Sequence, residues 1–237
     1  MFGLKSPAVA AGVILLLAST GHADPIIIDD FTDGPFSLSH AGNVGTTVTA
    51  TQTGATSHII GGTRVVDLTR DAGDAIFELC IPETSPGSGV GRGFLDFDAG
   101  NVATRGTLEL IYDDNGAGLG GVDLTAGGSY LAICAVFAGS DIPSSLSVTL
   151  TDTDSTSWTE SQSLTIGECI VLLDLATFSA QGVNTSLVDE IKITLVGATE
   201  GDYHIPVDAR KVPEPATVIL VATGLGAATL ARRRRRR

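Results

Sequence analysis

The stretch Val188-Asp189-Glu190-Ile191-Lys192-Ile193-Thr194-Leu195 places apolar residues at Ile191, Ile193 and Leu195 and polar ones at Glu190, Lys192 and Thr194. Successive side chains of an extended chain point to opposite faces, so this period of two describes a strand with one face in a core and one in water. Leu108-Glu109-Leu110-Ile111-Tyr112 does the same, with Leu108, Leu110 and Tyr112 on one face and Glu109 and Ile111 on the other. Outward from these two, alternation and β-branched residues predict strands over 26–31, 36–39, 44–51, 64–68, 75–81, 93–98, 106–112, 130–137, 147–151, 157–164, 169–174 and 190–196. Gly, Asp, Ser and Pro separate them, most plainly at 86–93 (PGSGVGRG) and 115–121 (NGAGLGG), and one short helix is expected around Leu175–Ala180. There is no fixed-period repeat and no linker that would split this body. The expected fold class is all-β, a jelly-roll-like β-sandwich.

Composition agrees. Asp (19) outnumbers Glu (8), and the only lysines are Lys5, Lys192 and Lys211. Asp favours turns, whereas Glu and Lys favour helices. A hydrophobic share of 43% over 237 residues suffices for a core and excludes a wholly disordered chain.

The two ends read differently from the body. Residues 1–23 have the form of a secretory signal peptide: Lys5, an apolar run over 8–18, then Gly21-His22-Ala23 with small residues before the cut. Eleven helical residues reach about 16 Å, roughly half of a hydrocarbon core, so a cleaved leader is expected rather than an anchor. Cleavage after Ala23 leaves a mature chain starting at Asp24. At the other end Val212-Pro213-Glu214-Pro215 precedes an apolar segment over 216–231 and then Arg232, Arg233, Arg234, Arg235, Arg236 and Arg237. Sixteen residues give about 24 Å, a short transmembrane helix that arginine snorkelling can complete. The arginine cluster acts as a stop-transfer charge and holds the C-terminus in the cytoplasm, in agreement with a body exported by the leader.

These three parts, in this order, resemble the PEP-CTERM sorting signal of Gram-negative bacteria. The resemblance covers residues 212–237. It implies an exosortase-type membrane protease as partner, transient anchoring in the inner membrane, removal of the tail near Pro-Glu-Pro, and delivery to the cell surface or the exopolysaccharide matrix. The prolines suit that role, because they deny helix to the segment outside the membrane and leave it extended. Within the expected domain, 24–211, Ile27-Ile28-Asp29-Asp30-Phe31 and Val188-Asp189-Glu190-Ile191-Lys192-Ile193 are similar to the paired terminal strands of jelly-roll carbohydrate-binding modules. That resemblance implies a sandwich and carries over no binding residue.

Charge narrows the partners of the body. Without the two ends, 26 of the 27 acids remain (Glu214 is lost) and 7 of the 14 bases (Lys5 and the six arginines are lost), a net charge of −19 over 24–211. No basic patch is left to displace counterions, so nucleic acid is not an expected partner.

Site signals in the body are sparse. Cys80, Cys134 and Cys169 are separated by 54 and 35 residues, with no CxxC, which is no metal signature. They read either as three small core residues or as one sandwich-crossing disulfide with one free thiol. His40, His58 and His204 lie in polar surroundings without an HExxH pattern, and no GxSxG elbow is present. Gly116-Ala117-Gly118-Leu119-Gly120-Gly121 matches GxGxxG, but the residues that follow have turn and strand chemistry rather than the helix a dinucleotide site needs. The acid pairs Asp29/Asp30, Asp96/Asp98, Asp113/Asp114 and Asp152/Asp154 read first as turn formers, with a structural calcium as the alternative. Trp158, Tyr112, Tyr130 and Tyr203 make a thin supply of aromatics for stacking on sugar.

The expectation is a non-catalytic exported protein with no catalytic residues, no cofactor site and no metal ligands. A carbohydrate-binding module, calcium-dependent or not, is the alternative, and a secreted hydrolase has the least support because no nucleophile–base pair is visible.

Overall fold

The computed structural model describes residues 26–33, 35–73, 77–81, 95–98, 104–128, 131–140, 145–164, 169–197 and 202–205. The leader (1–23) and the tail (212–237) lie outside these residues. In chain order the strands are β1 (Phe36–His40), β2 (Thr47–Thr53), β3 (Thr63–Ala72), β4 (Phe77–Ile81), β5 (Leu95–Asp98), β6 (Arg105–Tyr112), β7 (Ala132–Ser140), β8 (Ser145–Asp152), β9 (Ser157–Ser163), β10 (Cys169–Asp174), β11 (Val188–Val196) and β12 (Asp202–Ile205). The one α-helix among the described residues, α1 (Leu175–Ala180), follows β10, capped by the Asp174 carboxylate on the Ala176 amide.

Two six-stranded antiparallel sheets result, ordered β1-β4-β5-β12-β7-β10 and β2-β3-β6-β11-β8-β9. The chain switches between them repeatedly, as a jelly-roll-like β-sandwich requires. Alternation sets which face is buried. In the second sheet Leu68, Leu108, Leu195 and Leu146 stand in register on four neighbouring strands, and Val66, Leu110, Ile193 and Val148 form the next row. All eight are buried. Each such side chain contributes about 1.5–3 kcal/mol through burial.

The opposite face of that sheet is polar. One row across all six strands reads Thr49, Asp67, Glu109, Thr194, Ser147 and Ser161; the next reads Thr51, Val65, Ile111, Lys192, Thr149 and Thr159. Hydroxyls on neighbouring strands hydrogen-bond one another: Thr47 with Thr69 at 2.7 Å, Ser147 with Ser161 at 2.8 Å and Thr149 with Thr159 at 2.7 Å.

Three expectations are corrected. Residues 26–31 form no strand. Asp29 makes an isolated bridge to Ile59, its Oδ1 accepts the Phe31 amide at 2.9 Å, and Phe31 adopts φ +52, which turns the chain. The expected pairing of this segment with 188–193 therefore does not occur; β11 lies between β6 and β8 instead. The strand Asp202–Ile205 was not anticipated, being only four residues long.

No sandwich-crossing disulfide exists, because all three cysteines lie in the first sheet. Cys80 on β4 is three strands from β7 and four from β10, about 14 and 19 Å. Cys134 pairs with Leu172, leaving Cys169 three residues along the neighbouring strand, about 10 Å away. A disulfide needs Cα atoms within about 7 Å, and register and strand order set these three Cα positions farther apart than that.

Candidate functional site

The most concentrated chemistry in the described residues is buried where the N-terminal segment crosses the end of the second sheet. Asp29, Arg64 and Tyr112 are each 0% exposed. Arg64 sits on β3 in register with Gln52 of β2, and its two terminal nitrogens donate to the Asp29 carboxylate and to Gln52 Oε1. The Tyr112 hydroxyl donates to Asp29 Oδ2 at 2.9 Å, and the Arg64 guanidinium carbon stands 4.8 Å from the Phe31 ring centre. Burial lifts the Asp29 carboxyl above its ordinary value, while Arg64, the Phe31 amide and Tyr112 pull it back. Burial, reinforced by the Asp29 charge, pushes the Tyr112 hydroxyl well above its usual range.

Asp29, Arg64 and Tyr112 are closed off from solvent, and Gln52 is half-buried beside them. The work of this cluster is to fasten residues 28–31 to β3 and β6. Nearer the surface, Asp33 accepts the Ala55 amide at 2.8 Å and holds His58 Nδ1 at 3.1 Å. That hydrogen bond is the main reason the His58 pKa lies above its usual value.

The other predicted residues are placed one by one. His40 ends β1, the edge strand of the first sheet, and is fully buried. Its Nδ1 accepts the Gly42 amide at 3.0 Å and its Nε2 donates to the Thr46 carbonyl at 2.7 Å, which fixes the Nε2–H tautomer. Arg70 Nη2 donates to the His40 carbonyl at 2.8 Å. Asp152 and Asp154 form a turn: Asp152 Oδ1 accepts the Asp154 and Thr156 amides at 3.0 and 2.9 Å, and Oδ2 accepts the Asn184 amide at 2.8 Å. Those bonds, Asn184 first, hold the Asp152 carboxyl below its usual range. Asp30 accepts the Thr32 amide at 2.9 Å, and Asp114 takes φ +50 in the turn after β6.

The Gly-rich match at 116–121 is a connecting loop. Val122 pairs with Val188 after it, and no helix follows. Gly118 has φ +85, and a Cβ there would stand 2.5 Å from the Asp189 carboxylate, so glycine is required. Asp96, Asp98 and His204 lie on β5 and β12, where Asp96 pairs with His204 and Asp98 with Asp202. Tyr112 is buried, Trp158 is 39% exposed, and Tyr203 lies on β12. Tyr130 lies outside them. No group of three or more His, Cys, Asp or Glu among the described residues could hold a metal ion.

Sequence reasoning missed Arg64, Gln52 and Arg70. The signal was present in Thr63-Arg64-Val65-Val66-Asp67-Leu68-Thr69-Arg70, where both arginines share the phase of Val66 and Leu68. A charge on the core phase of a strand demands a buried partner.

The PEP-CTERM protein-sorting motif family matches residues 211–236. The chain carries that motif. It implies export with processing by exosortase, and it lies outside the described residues. Among those residues no helix is long and apolar enough to cross a membrane. The comparison with curated proteins returns no match. Among solved structures, the enzymatically active domain of bacteriophage CBA120 tailspike protein 4 is 8% identical over 62% of this chain and 19% of its own, with a TM-score of 0.37. A family 11 carbohydrate-binding module from Clostridium thermocellum, in complex with a β-1,3-1,4-mixed-linked tetrasaccharide, is 10% identical over 79% of this chain and 98% of its own, with a TM-score of 0.37. An exo-β-agarase is 9% identical over 61% and 23%, with a TM-score of 0.40. The chain thus spans about a fifth of the tailspike and agarase chains. The sandwich assignment stands on the two sheets themselves.

Proposed function

We propose that the protein is a non-catalytic component of the bacterial cell surface or exopolysaccharide matrix, exported by its leader and trimmed by exosortase at its tail. The observation that carries this reading is the motif at 211–236, with Pro-Glu-Pro, apolar segment and arginines in the sorting order. The described body supports it, because Asp29, Arg64 and Tyr112 are buried together and Asp30 and Asp152 accept backbone amides in turns. The test is to change Pro213, Glu214 and Pro215 together to alanine. The apolar segment and arginines survive, while the extended recognition segment is lost. In an exosortase-bearing host the triple variant accumulates uncut in the inner membrane, and the wild type is shorter and found outside. Equal mass and equal location for the two forms would overturn the sorting role.

A second reading, recognition of polysaccharide, is supported by the polar outward face of the second sheet, where hydroxyls and carboxylates stand in rows. Binding of the exported protein on a glycan array, lost when Glu109 and Lys192 are changed to alanine, would favour it over a purely structural role.

A further inference from the structure

We propose that the protein assembles head to tail with copies of itself, β9 of one copy pairing with β2 of the next so that the second sheet continues from molecule to molecule. Both strands are edges of that sheet, each seven residues long and each paired on one side only among the described strands. An edge leaves a row of backbone donors and acceptors unpaired, and proteins that stay single guard such rows with Lys, Pro or bulges. Neither Thr47–Thr53 nor Ser157–Ser163 contains Lys, Pro or a register shift.

Direction matches as well as length. Every neighbouring pair in this sheet is antiparallel and the strand number is even, so β2 and β9 run oppositely. A copy translated along the sheet therefore meets its neighbour in the antiparallel sense, and the alternation continues unbroken.

The side chains suit the same joint. In register, Thr47, Thr49 and Thr51 of one copy stand opposite Ser163, Ser161 and Thr159 of the other on the outward face. The sheet already forms this kind of cross-strand hydroxyl pair, Ser147 with Ser161 and Thr149 with Thr159. On the core side Trp158 stands opposite Gln52 and Glu160 opposite Ala50. Trp158 is 39% exposed although its register partner Leu150 is fully buried, so β9 overhangs the core and a neighbouring strand covers it. Glu160 is the one charge on either edge. Placed on the core side opposite Val148, it opposes pairing and keeps the association weak, as does repulsion between acidic copies. Because the two surfaces differ, the joint is heterologous and grows as an open chain rather than closing as a dimer.

The exported protein is tested by sedimentation velocity over rising concentration, in low and high salt, with Trp158 fluorescence as a local readout, since it is the only tryptophan. The wild type gives species that grow with concentration and salt, and its emission shifts to the blue as they form. Thr49→Lys and Ser161→Lys change exposed positions on the solvent face, one at each edge, and each alone sediments as a monomer. Their equimolar mixture forms dimers and nothing larger, since only one intact β9–β2 joint is available. Glu160→Gln lowers the concentration needed for assembly. Dichroism confirms each fold, with Thr51→Lys or Thr159→Lys as substitutes for a variant that fails. A wild type that stays monomeric to its solubility limit in high salt overturns the proposal. So does assembly that survives either lysine.

Discussion

The second sheet holds Arg64, Arg70, Arg105 and Lys192, every Lys and Arg of the described strands, whereas the first sheet has neither and carries Glu78, Asp96, Asp98, Asp174 and Asp202. Both sheets have six antiparallel strands, so the difference lies in how charge is managed rather than in topology. In the second sheet acids have partners: Asp67 accepts from Thr49 at 2.6 Å, Glu109 lies 3.5 Å from Lys192, and Asp152 collects three amides. In the first, Glu78, Asp98 and Asp202 are register partners on three adjacent strands. Both sheets set acids opposite one another, since Asp67 faces Glu109 in the second, but there Asp67 also has the Thr49 hydroxyl and Glu109 the Lys192 ammonium.

The largest expected effect breaks the strongest tie. Arg64→Met leaves the Asp29 carboxylate buried without its cation. Losing one partner of a sealed pair costs about 3–5 kcal/mol. Urea unfolding should show a much lower midpoint, and adding Asp29→Asn should recover part of the loss. A midpoint unchanged by Arg64→Met would mean that the cluster does not fasten the N-terminal segment.

Asp152→Asn should have a smaller effect with a distinctive pH dependence. The folded carboxyl lies below 3.8, its value in an ordinary setting. Its stabilisation is therefore complete above 3.8 and is lost as pH falls through the lower folded value. Asn does not titrate, so the stability gap between wild type and variant should widen as pH rises through that window and then level off. A gap that stays constant from strong acid to neutrality would contradict the three-amide turn.

These contrasts show which parts of the molecule were legible in the sequence. Regular strands were, because Leu108–Tyr112 and Glu190–Leu195 impose their period on both faces. Residues 26–31 misled, because Ile26, Ile27 and Ile28 look like a strand while the Asp29 side chain and the left-handed Phe31 turn it. The buried cluster was hidden because Asp29 finds Arg64 35 residues away and Tyr112 83 residues away. Local pattern shows that Arg64 faces inward but not what waits there. Of the two readings of the cysteines, the sandwich-crossing disulfide failed because strand order, which no spacing reveals, put all three in one sheet.

The smallest effect is also the one of opposite sign. Asp98 stands between Glu78 and Asp202 in register, on a sheet whose described strands contain no Lys or Arg. Like charges directly opposite on neighbouring strands destabilise, by up to about 1 kcal/mol per pair, and salt screens the repulsion. Asp98→Asn keeps the size and the strand and removes the central charge from both pairs. It should therefore raise the thermal midpoint at low salt, where most single substitutions lower it. The gain should shrink as salt is added. Asp174→Asn is the control: it stands opposite Ala132 and its carboxylate accepts the Ala176 amide, so the same chemical change should bring no gain. If both variants gained equally, the benefit would come from lowering the overall negative charge, and the register of the first sheet would have no part in it.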